Sequence, residues 1–596
     1  MVEALKVWDL SDFYDSIADP KIEQDIHNLL KSSVAFYETI KGKLTQSSLT
    51  ANKLKIWFDQ YESITEKMFY LDTFSQLIYR VRSLDDEVKS FRSKVEEIVV
   101  KVQENLLFFF LELNEINEEK YNDLIKSKVL TSYSHAIQFN RQLKPHQLTE
   151  KEEQIILMKN ITGVNGFIKL YREIKSNFTY EFVADGELKV LTAAEIYSFI
   201  YNEDKELRYR ALQKYLEKFK ENDMVFTHIF NNILKDWDLE SKRKNFKSPI
   251  SQRNLQNEVS DKSVEILGKV TTNSYHIVEK YYNLKKKILN LSELHISDLY
   301  APTGTISKKY TYNEAIDLIK TIDNKFYLGF GEIIDCMDKL NHIDAQPRKG
   351  KDRGAFCSHG KQKYYPFVFV NYTGYMDSIL TLAHELGHAF HVYYIQQTQN
   401  FINIDISLVI AEIASVFNEI LTFDYLMNCD LSNEEKISLL CIFIENNFGK
   451  SHRQNAFYNF ETKMHELLEQ KLLTTKEIKQ NFVEEMKLMF GNSIVNVEED
   501  YADFCFVVSH FLEVPFYVYA YNMSNLLVIS IYQLYLEQGE IFVPKYLKLL
   551  SLGSSLSPED MLKEIGIDLN DESFWEKGIK YLQLKIDELE TLIEKK

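Results

Sequence analysis

The sequence predicts a mainly α-helical fold, with a small β-sheet beside one helix that carries metal-binding residue types. Only 19 Gly and 9 Pro occur in 596 residues, and so few turn formers favour long helices over many short strands. Apolar residues also return every three or four positions, which indicates amphipathic helices. One such stripe runs through Ile64, Met68, Leu71, Phe74 and Ile78. The clearest strand is the short apolar run at residues 366–372, typical of a buried strand.

The length indicates more than one compact region, since 596 residues is about four times the usual size of a single domain. A boundary is expected near Glu195, because the segment Gly186–Ala193 is followed by a strong helical pattern over Asn202–Phe219. We therefore predict an N-terminal helical domain at residues 1–195 and a second domain at residues 196–596.

Composition and charge exclude several classes of function. The net charge is −18 and the pI is near 5.4, whereas non-specific nucleic-acid binding depends on clustered Lys and Arg. We expect no nucleic-acid partner. Five cysteines occur without a CxxC pair, which fits a reducing compartment and predicts no disulfide framework.

Membrane association and secretion are not expected either. The apolar run Leu526–Tyr535 is shorter than the ~20 residues needed to span a bilayer. The N-terminus lacks a basic segment followed by an apolar stretch, so no secretory signal is expected. The sequence predicts a cytoplasmic protein with no membrane partner, and it leaves the oligomeric state open.

The strongest chemical signal is the pentapeptide His384-Glu385-Leu386-Gly387-His388. On a helix, two histidines four residues apart lie on one face, about 40° apart around the axis and about 6 Å apart along it. Two imidazoles so placed can bind one Zn²⁺ ion. Glu385 cannot easily be a further ligand from its position, but it can act as general base on a metal-activated water. The alternative is that both histidines are ordinary core or surface residues without a metal.

The third ligand is sought among the residues that follow. A metzincin would need glycine at position 391 and histidine at position 394, and this chain has His391 and Tyr394 instead. The other common solution is a carboxylate from a later helix. Glu412 fits, because an acidic residue within the apolar run Leu408–Ser415 costs free energy unless it is paired or metal-bound.

Two further residues extend this predicted metal site. Glu419 lies two helical turns beyond Glu412 and is expected to hold an imidazole N–H group of a ligand. His391 shares the face of the two histidine ligands but lies about one turn away from the ion. We interpret it as a residue that lines the cleft or supports the ligands. Asp377 is expected to cap the start of the helix.

With these residues in place, the chain resembles the oligoendopeptidase F family of thimet-oligopeptidase-like metallopeptidases. The resemblance extends over essentially the whole chain, from the opening Trp8–Tyr14 onward. The matching segments are Arg353-Gly354-Ala355-Phe356-Cys357, Asn371-Tyr372-Thr373-Gly374, Thr381–His391, Ala411–Glu419, His510-Phe511 and Pro515–Tyr521.

The resemblance implies a largely helical, ellipsoidal zinc endopeptidase whose deep channel admits short unfolded peptides. One Zn²⁺ per chain would be held by His384, His388 and Glu412, with Glu385 as the base. It also implies that His510 and Tyr521 stabilise the transition state. Substrate contacts are expected from Tyr517, Tyr519, Gly354, Ala355, Phe356, Asn371 and Tyr372. Asn522-Met523-Ser524 depart from the family, which often has small residues including glycine there, so the resemblance does not extend to local shape and specificity at that point.

The sequence leaves three other readings open. A zinc hydrolase acting on a different amide would use the same residues, whereas a catalytically silent peptide-binding relative would usually have lost Glu385 or a ligand. A helical scaffold would hold no metal. We also hypothesise that the strand at residues 367–371 offers an unpaired edge to an extended peptide.

Overall fold

The computed structural model describes residues 6–184, 186–304 and 308–595, and it confirms the mainly α-helical fold. The residues Met1–Leu5, part of the segment in which no secretory signal is expected, lie outside that description. The α-helices, in chain order, are Pro20–Ile40 (α1), Ala51–Val81 (α2), Asp86–Leu106 (α3), Phe108–Glu115 (α4), Glu118–Ile125 (α5), Ser134–Leu143 (α6), Glu150–Thr162 (α7), Val164–Ser176 (α8), Ala193–Ser198 (α9), Lys205–Glu221 (α10), Asp223–Arg243 (α11), Pro249–Gln256 (α12), Asp261–Asn273 (α13), Tyr275–Ile288 (α14), Tyr312–Phe326 (α15), Leu328–Lys339 (α16), Met376–Thr398 (α17), Leu408–Ala411 (α18), Ile413–Met427 (α19), Asn433–Lys450 (α20), His452–Leu468 (α21), Thr475–Phe490 (α22), Val497–Tyr501 (α23), His510–Glu513 (α24), Val518–Gln538 (α25), Val543–Leu550 (α26), Pro558–Lys563 (α27) and Glu572–Glu594 (α28).

Several of these helices begin where the sequence supplies a reciprocal cap. Thr311 precedes α15, Ser432 precedes α20 and Thr474 precedes α22, and each hydroxyl accepts the N–H of a glutamate three residues later. Each glutamate in turn accepts the N–H of the capping residue. At the N-terminus of each of these helices, two backbone N–H groups that have no partner within the helix are thereby hydrogen-bonded.

In the part of the chain that the structure describes, five short strands form two small sheets. Thr179–Ala184 (β1) and Glu187–Thr192 (β2) form an antiparallel hairpin. Ile343–Asp344 (β3), Phe356–Ser358 (β4) and Phe367–Phe369 (β5) form a three-stranded sheet in the order β3-β5-β4. The strand predicted at residues 366–372 is confirmed as β5.

The pairing order corrects one hypothesis about this sheet. β5 pairs with β3 in parallel and with β4 in antiparallel register, so it is the central strand and has no unpaired edge. The proposal that residues 367–371 receive a peptide is therefore wrong. Within the described ranges, β4 has one strand neighbour, and its other edge is the one that an extended peptide could join.

The chain forms two compact units, each assembled from three segments. Unit one comprises Met1–Lys144, Ser307–Tyr425 and Tyr535–Ile567, and unit two comprises Pro145–Ile306, Leu426–Leu534 and Asp568–Lys596. The predicted boundary at residue 195 lies inside unit two, within α9. It is not one of the points at which the chain passes from one unit to the other.

The core of unit one joins the three-stranded sheet to the N-terminal helices. Phe367 and Phe369 of β5 are fully buried and belong to the same apolar cluster as Trp8 and the inner faces of α1 and α2. The Trp8 ring lies 6.2 Å from the Phe367 ring and 5.7 Å from the Phe369 ring, measured between centroids. This packing holds the sheet in place, and its strand β5 leads into the segment before α17.

The core of unit two is built around the N-terminal part of α25. The stretch Val518–Leu550 is long and apolar enough to cross a membrane by length and composition alone. Residues 522–533 of α25 are nearly all buried, and the amide of Asn522 donates to Thr271 Oγ1 at 3.0 Å. These are the properties of a core helix.

Candidate metal centre

Helix α17 carries both histidines of the pentapeptide. Its inner face is apolar: Ile379, Leu382 and Leu386 are completely buried, which holds the helix in unit one. The helix begins at Met376, with Tyr375 as the capping residue and no side-chain cap. The expectation that Asp377 caps the helix is wrong, since it lies within the first turn.

The structure brings Glu412 to the two histidines. Its Oε2 lies 3.3 Å from His384 Nε2 and 3.5 Å from His388 Nε2. One ligand atom from each of the three residues lies within 4.8 Å of the others. Two imidazole nitrogens and one carboxylate oxygen that converge in this way form a donor set that suits Zn²⁺.

The sequence suggested that Glu412 lies inside a helix, but in the structure it lies between two helices. It follows the last residue of α18 and precedes the first of α19, with φ −89° and ψ 1°. This conformation is sparsely populated and is often found in active-site residues. The break lets the carboxylate turn toward α17, and Ser415 Oγ donates to its Oε2 at 2.6 Å.

The approach of α19 to α17 depends on Gly387. A Cβ atom at this position would lie 2.6 Å from Ser415 Cα and closer still to the carbonyl oxygen of Ala414. No other residue type fits between these two backbones. Asn418 strengthens the contact, because its buried amide donates to the Ala383 carbonyl at 2.8 Å. The sequence pattern alone does not indicate this function of Gly387.

Each histidine has a hydrogen-bond partner besides Glu412. His384 Nδ1 donates to Glu419 Oε2 at 3.2 Å, and the backbone of Ala411 hydrogen-bonds the His388 ring. Such partners help to fix the orientation of the rings, and both Nε2 atoms lie within 3.5 Å of Glu412 Oε2.

The charges around this point are those of a cation site. Burial lowers the pKa of His384, but hydrogen bonds to Glu412 and Glu419 outweigh it and raise the pKa to about 9. Burial lowers the pKa of His388 to about 4. Burial would raise the pKa of Glu412, yet the two imidazoles hold it well below its usual range. Without a metal, a proton on His384 supplies the positive charge between the carboxylates, so these residues fit a bound cation.

Glu385 lies beside the cluster and is not one of its ligands. Its side chain is buried, and its Oε2 has no hydrogen-bond partner among the described residues. Burial raises its pKa to about 7, partly offset by His384 and reinforced by Glu412. A carboxyl group with this pKa can both accept and return a proton near neutral pH.

His391 is fully enclosed on the same helix. Neither ring nitrogen has a hydrogen-bond partner in the part of the chain that the structure describes. Burial lowers its pKa to about 3, so the ring is neutral. It is not among the three residues whose ligand atoms converge.

The residues that the resemblance links to the transition state lie in unit two. His510 Nε2 and Tyr521 Oη are 3.2 Å apart, and the His510 ring stacks on Tyr517 at 5.5 Å with an interplanar angle of 13°. Tyr521 is 38% exposed. Tyr519 differs, because it is buried and its hydroxyl accepts from the amide of Asn257 at 2.9 Å.

The remaining predicted substrate contacts lie in unit one, around β4. Asn371 donates to the carbonyls of Asp352 at 3.0 Å and Gly354 at 3.1 Å, which fixes the turn at Gly354, whose φ is +91°. Ala355 follows this turn, and Phe356 stacks on Phe369 at 4.7 Å. Tyr372 is buried, and its hydroxyl donates to the Tyr310 carbonyl at 2.9 Å.

The metal affinity of this site should rise with pH. His384 has a raised pKa of about 9 in the metal-free chain, so it is protonated at neutral pH and must lose that proton before its Nε2 can bind a cation. The apparent affinity should therefore increase by about tenfold per pH unit between roughly pH 7 and 9. Calorimetric titration of the metal-free chain at several pH values measures this slope.

The control is Glu419→Gln, which removes one of the two carboxylates that raise the pKa of His384. In this variant, the rise of metal affinity with pH should level off at a lower pH than in the wild type. Equal slopes in the two proteins would show that His384 does not carry the proton that the metal displaces.

Gly387→Ala should weaken metal binding, because the new Cβ forces α19 away from α17 and draws Glu412 away from the two imidazoles. We expect a loss of at least about tenfold in affinity, as for other changes that disturb ligand orientation. Metal content after dialysis against a graded chelator measures it. Gly449→Ala is the matched control, since a Cβ there meets nothing within 4 Å and alanine favours helix. Equal metal retention by both variants would contradict the account.

Comparisons with known proteins identify the family of this chain. Residues 198–581 match the family model for peptidase family M3, and residues 112–180 match that for oligopeptidase F. Oligopeptidase PepF of Bacillus subtilis is 27% identical over 100% of this chain and 88% of its own length, and an oligoendopeptidase F homologue of Borreliella burgdorferi is 26% identical over 91% and 93%.

Solved structures show the same fold. A Chlamydophila abortus protein superposes with a TM-score of 0.86 at 22% identity, covering 98% of both chains. Oligoendopeptidase F from Enterococcus faecium superposes with a TM-score of 0.71 at 18% identity, covering 97% of this chain and 99% of its own. Because the M3 family model matches well over half of the sequence, the chain belongs to peptidase family M3 and is a metallopeptidase.

Proposed function

We propose that this chain is a cytoplasmic, zinc-dependent oligoendopeptidase that hydrolyses internal bonds of short unfolded peptides. The observation that carries the proposal is the convergence of His384 Nε2, His388 Nε2 and Glu412 Oε2 beside the buried carboxyl group of Glu385, whose Oε2 has no hydrogen-bond partner among the described residues. The names of the relatives support peptide substrates. The five free cysteines fit a reducing compartment.

Zinc is the metal that this donor set favours, with His384, His388 and Glu412 as its ligands. Two neutral imidazoles and one carboxylate, with space left for a water, form a common catalytic zinc site, whereas calcium and magnesium prefer oxygen ligands alone. When bound, the ion would polarise the scissile carbonyl group and lower the pKa of a nearby water.

Glu385 is the proton carrier in this proposal. As a carboxylate it accepts a proton from the attacking water, and as a carboxylic acid it returns that proton to the leaving amine. The raised pKa of about 7 makes both transfers accessible near neutral pH. Burial also keeps bulk water from competing for the group.

Tyr521 and His510 are proposed to stabilise the negative charge that develops on the carbonyl oxygen. Burial lowers the pKa of His510, so its imidazole is neutral at pH 7. The His510 Nε2 and Tyr521 Oη atoms are 3.2 Å apart, so the imidazole can orient the phenol as a hydrogen-bond donor. A preorganised donor of this kind contributes about 2.7–4 kcal/mol to transition-state stabilisation in other enzymes.

The free edge of β4 is proposed to bind the substrate backbone. An extended peptide placed there would continue the β3-β5-β4 sheet through main-chain hydrogen bonds, and its side chains would alternate in direction. This mode requires an unfolded segment, which agrees with a preference for short peptides. Gly354 and Asn371 support it by fixing the turn that leads into the strand.

Glu385→Gln should abolish most of the activity without removing the metal. Glutamine keeps the shape of the side chain but cannot accept a proton, so kcat should fall by about 10²–10⁴-fold. Cleavage of a quenched fluorescent oligopeptide measures the rate, and elemental analysis measures the zinc.

Glu484→Gln is the matched control, since Glu484 is half exposed on α22, and it should cleave like the wild type. A Glu385→Gln enzyme with the wild-type rate would refute the general-base role. A wild type that holds one zinc but cleaves no peptide in a broad library would instead support a different amide substrate or a silent peptide binder.

A further inference from the structure

A strained turn connects His510 to Tyr521. Helix α24 begins at His510, and the Val514 N–H donates back to the His510 carbonyl at 2.9 Å. Phe516 then adopts φ +55° and α25 begins at Val518. The turn folds α24 back on the first turn of α25, which is why the His510 ring meets both Tyr517 and Tyr521.

Phe516 is an unusual residue for this conformation. Left-handed backbone is common for glycine and tolerated by asparagine, but it is a true outlier for a bulky side chain. The aromatic ring is 1% exposed, so the residue cannot relax outward. Such strain persists only where the surroundings determine it, and it concentrates at functional sites.

Three side chains of unit two hold the turn. Glu461 Oε1 accepts the Phe516 N–H at 2.8 Å, with both atoms buried. Arg253 Nε donates to the Pro515 carbonyl at 3.1 Å. The His465 ring stacks on the Phe516 ring at 4.4 Å, and its Nδ1 is fixed by Asp238 at 2.6 Å.

Among these three side chains, Glu461 is the one whose burial is not explained by apolar packing. It is 1% exposed on the inner face of α21, and its Oε2 has no hydrogen-bond partner within the described ranges. Burying a carboxyl group with only part of its hydrogen-bonding capacity satisfied is costly. Glu461 Oε1 accepts the N–H of the strained residue, which indicates that this contact is its function.

We propose that Glu461, assisted by Arg253, is a positioning residue that holds Phe516 in the left-handed conformation and thereby sets Tyr521 against His510 for catalysis. The proposal rests on the catalytic role proposed above for Tyr521. It predicts that loss of the hydrogen-bond acceptor at position 461 slows the chemical step while substrate binding changes little.

The experiment compares the single variants Glu461→Met, Glu461→Gln and Tyr521→Phe with the double variant that combines Glu461→Met and Tyr521→Phe. Each is measured by steady-state cleavage of one quenched oligopeptide. Glu461→Met should lower kcat by at least about tenfold, with KM within about threefold of the wild type. Glu461→Gln keeps a carbonyl acceptor and should retain most of the rate. In the Tyr521→Phe background, Glu461→Met should lower kcat by less than about threefold, because residues that act through one group are not additive.

Two further variants separate positioning from general stability. Arg253→Met removes the second hydrogen bond to the turn from a partly exposed side chain, and it should lower kcat in the same Tyr521-dependent manner even if Glu461→Met does not fold. Glu485→Met removes a partly buried carboxyl group from α22, and it should leave kcat unchanged.

The outcomes distinguish this inference from the proposed function. If Tyr521→Phe keeps the wild-type kcat, the catalytic role of Tyr521 fails, and the inference with it. If Tyr521→Phe is slow but Glu461→Met and Arg253→Met are not, only the inference is wrong. Equal losses from Glu461→Met in both backgrounds, or a loss of rate that follows the melting temperature, would assign Glu461 a purely structural role.

Discussion

The site depends on one close contact between two helices. Because residue 387 has no side chain, the backbone at Ala414 and Ser415 lies directly against α17. This contact brings Glu412 within 3.5 Å of both histidine Nε2 atoms, and it places Glu419 against the opposite side of the His384 ring. The glycine within the pentapeptide is thus as necessary to the site as the two histidines that flank it.

The charges around His384 favour a bound cation. Glu412 and Glu419 flank His384, while burial keeps His388 and His391 neutral. In the metal-free chain a proton on His384 partly compensates the two carboxylates. A divalent ion would replace this proton and complete the neutralisation, which couples occupancy of the site to pH.

The sequence predicted the chemistry of the site more fully than its architecture. Helical spacing places His384 and His388 on one face, and an acidic residue in an apolar run marked Glu412. The break in the helix at Glu412 was not predictable, because the apolar pattern near residues 406–427 predicts one continuous helix, whereas Glu412 separates α18 from α19. The central position of β5 was missed as well, because the apolar pattern identifies a strand but not its neighbours. The left-handed Phe516 carries no sequence signal, since neither glycine nor asparagine is present.

We propose that His384, His388 and Glu412 together hold one zinc ion beside Glu385. Anomalous diffraction from crystals of the zinc-loaded chain, recorded on both sides of the zinc absorption edge, would locate the ion. A single strong peak is expected within about 2.0–2.2 Å of His384 Nε2, His388 Nε2 and a Glu412 carboxylate oxygen, with Glu385 outside bonding distance. A peak bound by other residues, or one that includes Glu385 or His391 in place of Glu412, would contradict it.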